Sequence, residues 1–156
     1  MTAGGSPSLS FNCTTEAETE AMARRLAPAA KAGDVIALSG DLGAGKTVFA
    51  RAFIQSLTGV TEVPSPTFTL VQTYEATYAE IYHFDLYRLE RPEDALELGI
   101  DDAFAEGISL IEWPENLGPY LPREVLRVQI DQSADDTARQ ITLDGGENWA
   151  GRLAGL

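Results

Sequence analysis

Three features of this 156-residue sequence predict an α/β fold. Val35-Ile36-Ala37-Leu38 is a short, unbroken apolar run, the pattern of a strand buried on both faces as in a parallel sheet. GDLGAGKT at 40–47 follows at once and opens VFARAFIQSL, where Val48, Phe49, Ala52, Phe53 and Leu57 form one helical stripe. Ile108–Ile111 is a second run of the buried type, ending in Glu112. The length suits one domain, residues 1–156, and the 44% hydrophobic and 22% charged fractions exclude disorder as the dominant state.

The remaining elements follow in order. Residues 1–7 are small and polar and are expected to fray. Ser8–Cys13 alternates and reads as a first strand. From Thr15 to Ala30 a helix is expected, with acids at its start (Glu16, Glu18, Glu20) and bases toward its end (Arg24, Arg25, Lys31), as the helix dipole favours. Gly33-Asp34 turns the chain into the first buried strand, and Gly59 stops the helix after the glycine-rich motif. Pro64 and Pro66 mark an irregular loop. Phe68–Tyr74 and Tyr78–Tyr87 are β-branched and aromatic and read as a hairpin. A short helix starts at Arg91-Pro92-Glu93-Asp94 and ends at Gly99; another is expected over Glu115–Leu121. Val125–Ile130 and Gln140–Leu143 read as strands joined by the polar loop Asp131–Ala138, and the tail ENWAGRLAGL as a final helical turn or two.

Charge and cysteine content narrow the function classes. Twenty-four acids against 11 bases give a net charge of −13, which disfavours direct grip on a nucleic-acid backbone. One cysteine, Cys13, and one histidine, His83, exclude an intramolecular disulfide and a Cys/His metal cluster. The N-terminus lacks a secretory pattern, and no run approaches the ~20 apolar residues of a membrane span. A cytoplasmic setting is expected, with no membrane contact.

Gly40-Asp41-Leu42-Gly43-Ala44-Gly45-Lys46-Thr47 matches G-x-x-x-x-G-K-[ST] at every fixed position, between a buried strand and an amphipathic helix. Glycines let successive backbone N–H groups turn inward toward phosphate oxygens, and the helix N-terminus adds partial positive charge. Lys46 is placed to reach the terminal phosphates and Thr47 to offer a hydroxyl to Mg²⁺. A plain glycine turn does not explain a Lys-Thr pair at a helix start, where the dipole disfavours a cation.

Such a site calls for an acid at the end of a neighbouring strand, and Glu112 after Ile108–Ile111 meets that need. On the strand expected over 78–87, alternation places His83, Asp85 and Tyr87 on one face. His83 reads as a hydrogen-bonded structural residue. Asp85, a carboxylate in a buried strand, calls for a metal, a base or a catalytic water. Ser65-Pro66-Thr67-Phe68 lies where nucleotide switches carry a γ-phosphate-sensing Thr, although a capped turn also accounts for it. No Lys follows Lys46, so the guanine-reading Asn/Thr-Lys-x-Asp motif is missing, and ATP is the better assignment.

Together these stretches — GDLGAGKT, SPTF at 65–68, HFDLYRL at 83–89, ELGIDDAF at 97–104 and IEWPE at 111–115 — resemble the TsaE (YjeE) family, ATPases of tRNA threonylcarbamoyladenosine biosynthesis. The resemblance spans most of residues 14–131. It implies a three-layer fold like that of phosphate-loop NTPases, with a mostly parallel central sheet and antiparallel additions. It further implies slow, Mg²⁺-dependent ATP hydrolysis in concert with the partners TsaB and TsaD, tRNA being engaged indirectly through the complex. Carried over residue by residue, Gly43, Ala44, Gly45, Lys46, Thr47 and Val48 would cradle the phosphates, and Thr47 and Glu112 would hold Mg²⁺. Lys46, Asp85 and Glu112 would serve hydrolysis, and Ser65 and Thr67 a switch-like loop. Thr14 and Glu16 would lie on the adenine side, and Asp136 or Arg139 would supply a contact from the C-terminal hairpin. Trp113, next to Glu112, is expected at the same end of the sheet.

Two other readings fit the same loop. A small-molecule kinase of the shikimate or nucleoside type would add an acceptor pocket, with Arg88, Arg91 or Arg123 as lid arginines. A nucleotide-responsive assembly module would bind ATP with negligible turnover.

Overall fold

The computed structural model describes residues 8–41, 43–133 and 138–156. One seven-stranded sheet carries every described strand. In chain order the elements are β1 (Ser8–Cys13), α1 (Glu16–Leu26), β2 (Val35–Ser39), α2 (Lys46–Thr58), β3 (Val71–Glu75), β4 (Glu80–Asp85), α3 (Ile100–Glu106), β5 (Ile108–Glu112), β6 (Leu126–Gln132), β7 (Arg139–Asp144) and α4 (Gly146–Leu153). Spatially the strands run β1-β7-β6-β2-β5-β4-β3. The four in the middle, β6, β2, β5 and β4, are mutually parallel, while β1, β7 and β3 pair antiparallel at the flanks. The mostly parallel sheet with antiparallel additions is thus observed.

Strand alternation sorts the core into two layers. Ile36 and Leu38 of β2, Ile108 and Leu110 of β5 and Ile81 of β4 face α1, α2 and α4, where Phe49, Phe53, Leu26 and Trp149 are buried. Val35, Ala37, Phe84 and Ile111 face the other way, onto Ala95, Ile100, Ala103 and Leu117. Burying one such aliphatic or aromatic side chain contributes about 1.5–3 kcal/mol, so both helical layers are held chiefly by their apolar stripes. The three layers expected from the resemblance follow from this division. All of His83, Asp85 and Glu112 share parity with Ile81 and Leu110, so they lie on the α2 side.

Several boundaries differ from expectation, each for a local reason. The first helix ends at Leu26 rather than Ala30, and a 3-10 turn at Ala27–Ala29 replaces its last turn. Pro28 has no N–H to continue the ladder. Within the hairpin, pairing covers only Val71–Glu75 and Glu80–Asp85. Leu70 sits at φ 69 and donates its N–H to Pro66 O at 2.7 Å, which makes 67–70 a turn. Tyr87 therefore lies beyond β4 rather than on it. Pro92–Leu98 is 3-10, and after Gly99 (φ 81) the chain restarts as α3, a helix the sequence reading does not contain. Pro114–Tyr120 is likewise 3-10, with a kink at Gly118.

The tail is docked. Trp149 and Leu153 of α4 are buried, and Arg152 forms a two-point ion pair with Asp34, at 2.6 and 3.1 Å, while its guanidinium lies over the Trp149 ring. Residues 1–7, expected to fray, lie outside the described residues.

Candidate functional site

The parallel strands β2, β5 and β4 end side by side, and the N-terminus of α2 points at the same edge of the sheet. Ligands of open α/β sheets bind at this edge. Gly40 leaves β2 at φ 149, and a Cβ there would meet Ile130 O of β6 at 2.3 Å, so only glycine allows the loop to pass the neighbouring strand. The loop then closes with Ala44 N–H donating to Asp41 O at 3.0 Å. Gly45, at φ 109, is the N-cap of α2. It brings no side-chain cap, and the first turn carries no acid. The first backbone N–H groups of a helix have no partner within it, so α2 presents donors and positive potential to whatever lies before it.

A cavity of about 350 Å³ lies there, lined by Gly43, Gly45, Lys46, Thr47, Val48, Thr67, Asp85, Tyr87, Arg88, Glu112 and Trp113. Of the residues singled out from the sequence, Ala44 is buried beneath the loop, and the wall does not include Thr14, Glu16 or Arg139. Arg139 nevertheless reaches the loop from β7: its Nε donates to Ala44 O at 2.7 Å and its terminal nitrogen to Gly43 O at 3.4 Å. Cys13 pairs with Arg139 across β1 and β7, which sets Thr14 beside that strand end. Thr14 and Glu18 are engaged with each other, and Glu16 is exposed in the first turn of α1. Asp136 and Leu42 lie outside the described residues.

Two carboxylates meet at the cavity floor. Asp85 and Glu112 are register partners on β4 and β5, and both are buried. Asp85 accepts from Tyr87 N–H at 3.1 Å and from the Thr67 hydroxyl at 3.3 Å; Thr67 in turn lies 2.8 Å from the Ser65 hydroxyl. The SPTF segment is thus tied to the acid by a hydroxyl pair, and Phe68 projects from it 81% exposed, with Arg88 over its ring. Glu112 accepts from Thr47 at 2.9 Å through Oε1 and is 2.7 Å from His83 Nε2 through Oε2. His83 is hydrogen-bonded, as expected, but its partner is the acid itself.

Lys46 departs from the picture of a side chain waiting at an open mouth. It is 4% exposed, donates to Gly40 O, and its ammonium sits 3.4 Å from the centre of the Trp113 ring. Burial pushes its pKa down, opposed by Glu112, Glu115, Asp85 and Asp41. Trp113 adopts the left-handed conformation, φ 60 and ψ 52, which costs about 1–3 kcal/mol in a non-glycine residue, and its ring lies against the lysine. Tyr87 also packs against that ring, tilted, with centroids 5.0 Å apart. Alternation from Asp85 puts Tyr87 on the same side as the acid, and Tyr87 does line the cavity, although it lies beyond the end of β4.

Chemically the arrangement suits a polyanion with a divalent cation. Thr47 spends its proton on Glu112 and keeps its oxygen lone pairs. Among the described residues no cluster of three or more His, Cys, Asp or Glu side chains is arranged to hold a metal. A small cation here would need ligand oxygens to complete its shell, as Mg²⁺ bound through one or two side chains and substrate phosphates does.

The comparisons agree with this geometry. The model of the family described as threonylcarbamoyl adenosine biosynthesis protein TsaE matches residues 13–141. The Bacillus subtilis tRNA threonylcarbamoyladenosine biosynthesis protein TsaE is 41% identical over 136 residues, 86% of this chain and 84% of that protein. The Rickettsia conorii protein of the same name is 44% identical over 118 residues, 75% of this chain and 67% of its own length. The crystal structure of Bacillus subtilis YdiB superposes with a TM-score of 0.80 at 35% identity, covering 97% of this chain and 94% of that one. With the fold, the loop and the paired acids in place, and with the family model covering residues 13–141, this chain belongs to the TsaE family.

Proposed function

We propose that this protein binds ATP with Mg²⁺ and hydrolyses it slowly in support of threonylcarbamoyladenosine formation on tRNA, acting with the partners TsaB and TsaD. The observation that carries the reading is the N-terminus of α2: uncapped, headed by Lys46 and Thr47, and open to a cavity that also holds Asp85 and Glu112. Bound ATP supplies the phosphoanhydride to be cleaved, and Mg²⁺ offsets its charge. The loop N–H groups and Lys46 would hold the phosphates, and the Thr47 hydroxyl would be available to the cation. Glu112, with one oxygen on Thr47 and the other near His83, would with Thr47 hold Mg²⁺. Asp85, fixed by Thr67 and the Tyr87 N–H, is placed to orient the attacking water. Thr14, Glu16 and Arg139 belong to the edge where the adenosine end would lie.

The relatives are named for tRNA threonylcarbamoyladenosine biosynthesis, and that role is taken over here. A net charge of −13 favours an indirect engagement of tRNA through protein partners. No helix among the described residues is long and apolar enough to cross a membrane, in keeping with work alongside tRNA in the cytoplasm. The test is ATPase activity of the purified chain with and without TsaB and TsaD, paired with tRNA modification by the reconstituted mixture. Stimulated turnover that modification requires supports the reading. Phosphate transfer to a metabolite instead would make the protein a small-molecule kinase, and modification sustained by a non-hydrolysable analogue would make it an assembly module.

A further inference from the structure

We propose that His83 is a positioning residue for the cation: it holds the Glu112 carboxylate in the one orientation that keeps the Thr47 oxygen turned toward the cavity. The proposal rests on the ATP–Mg²⁺ reading of the site. His83 is fully buried, and its Nε2 lies 2.7 Å from Glu112 Oε2. Its Nδ1 has no hydrogen-bond partner. That asymmetry assigns the proton. With the hydrogen on Nδ1, a buried donor would be orphaned and two lone pairs would face each other across 2.7 Å; with it on Nε2, His83 donates to the carboxylate. Glu112 then accepts from two fixed donors, one on each oxygen, His83 from β4 and Thr47 from α2.

Two donors on opposite oxygens stop rotation of the carboxylate about its last bond. Because Oε1 stays on the Thr47 proton, the hydroxyl lone pairs stay directed elsewhere, into the cavity that Thr47 lines. Thr67, Asp85 and Lys46 already engage other groups, and the one hydrogen bond His83 makes is to Glu112. A residue serving only to fill the core here would pack as well without a polar ring. Outer-shell donors of this kind typically alter metal affinity by about 10–100-fold when removed.

The experiment compares His83→Leu, His83→Asn and His83→Gln. A Gln amide nitrogen reaches the place of Nε2, an Asn amide falls short of it, and Leu removes the donor. ATP binding is measured by calorimetry with Mg²⁺ and with chelator, alongside thermal unfolding. The expected result is a loss of about 10-fold or more in the Mg²⁺-dependent gain in affinity for H83L and H83N, with the gain largely kept in H83Q and Mg²⁺-free binding alike in all. If H83L does not fold, the contrast between H83N and H83Q carries the test. An equal Mg²⁺ gain in H83N and H83Q overturns the proposal, as does an equal loss with and without Mg²⁺, which marks a purely structural role. Thr47→Ala separates the two levels of inference: if it abolishes the gain while H83N does not, the site reading stands and the role of His83 falls. If neither variant affects the gain, the reading of the metal site falls as well.

Discussion

Helices α1 and α2 pack against one another on the same face of the sheet, yet they begin in opposite ways. α1 closes its own start. Thr15 caps it by accepting from Glu18 N–H at 3.2 Å, and Glu18 reaches back to accept from the Thr14 N–H and hydroxyl, both at 2.6 Å. Its first turn carries Glu16 and Glu18 and its last turn Arg24 and Arg25. α2 does none of this: glycine at the cap, lysine at the first position, no acid in the first turn. A side-chain cap is worth about 1 kcal/mol, and a cation at this end costs about 0.3–1 kcal/mol more. One helix start is built for stability, and its neighbour leaves its backbone donors open toward the cavity. Where local choices oppose stability without compensation inside the fold, function is the expected reason.

The largest effect that separates the two starts is expected from Lys46→Ala. Charge-assisted hydrogen bonds contribute about 1.5–3 kcal/mol each, so loss of the ammonium should weaken ATP binding by about two orders of magnitude. Folding should suffer little, because a better helix former and the loss of a cation at the positive helix end offset the lost Gly40 hydrogen bond and Trp113 contact. Calorimetry with ATP, together with thermal unfolding, checks both parts; an unfolded variant would make Lys46 a core residue and erase the contrast. The pH dependence has a defined sign. Burial lowers the Lys46 pKa in the folded protein, so the unfolded chain binds the extra proton more readily, and stability from this group rises as pH climbs past the lowered value. Anion affinity runs the other way, falling over that window, which lies below the ordinary lysine range.

Next in size, Asp85→Ala and Glu112→Ala should each lower partner-stimulated ATP turnover by roughly 10²-fold or more, the scale of a lost general base or water-orienting group. Nucleotide affinity should hold or tighten, since each variant removes negative charge beside the phosphates. Wild-type turnover in both variants would remove the two carboxylates from hydrolysis and leave the α2 start as the one part of the site reading still standing.

How far the sequence reveals these features depends on range. The β2–loop–α2 unit is legible because its signals are local: an apolar run, glycines at fixed offsets and a helical stripe. Glu112 and Asp85 are legible as strand-end acids for the same reason. The His83–Glu112 bond is not, because it depends on β4 and β5 aligning with His83 opposite Leu110, a pairing 27 residues apart in the chain. The loop contacts of Arg139 likewise arise only when β7 returns beside β6. α3 escapes because its seven residues bury only Ile100 and Ala103, too short a stripe to register, and because Gly99 reads as a stop when it is also a start. The late start of β3, at Val71 rather than Phe68, turns on the positive φ of Leu70, which no side-chain pattern announces.

Thr15→Ala tests the other half of the comparison. It should destabilise the fold by about 1 kcal/mol, or about 2–4 °C in midpoint for a chain of this size, and leave Mg²⁺–ATP binding alone. Acid should mimic it. The Thr14 hydrogen bonds hold the Glu18 carboxyl below its ordinary pKa, so its contribution is present above the unfolded value and fades as pH falls through the lowered one. A change in ATP affinity in this variant would couple the two helix starts and break the separation drawn here.

The smallest expected effect is spectroscopic, and it concerns the lysine's resting place. In this structure the Lys46 ammonium lies 3.4 Å from the centre of the Trp113 ring, and that ring also packs on Tyr87. A cation over an indole face is held by about 0.5–2 kcal/mol, little enough for phosphates to draw it away. ATP with Mg²⁺ should therefore change tryptophan fluorescence, by removing the charge above Trp113 and placing new groups in the cavity it lines. The other tryptophan, Trp149, is 1% exposed and stacked with Arg152 in α4, where the Asp34 ion pair holds that arginine. The signal should survive Trp149→Phe and vanish in Trp113→Phe. In Lys46→Ala, at ATP concentrations that saturate that variant, the signal should shrink by the part owed to departure of the cation, which separates that part from direct contact with nucleotide. A signal that follows Trp149 instead would place the C-terminal helix at the nucleotide site. The open start of α2 would then no longer account for the anion.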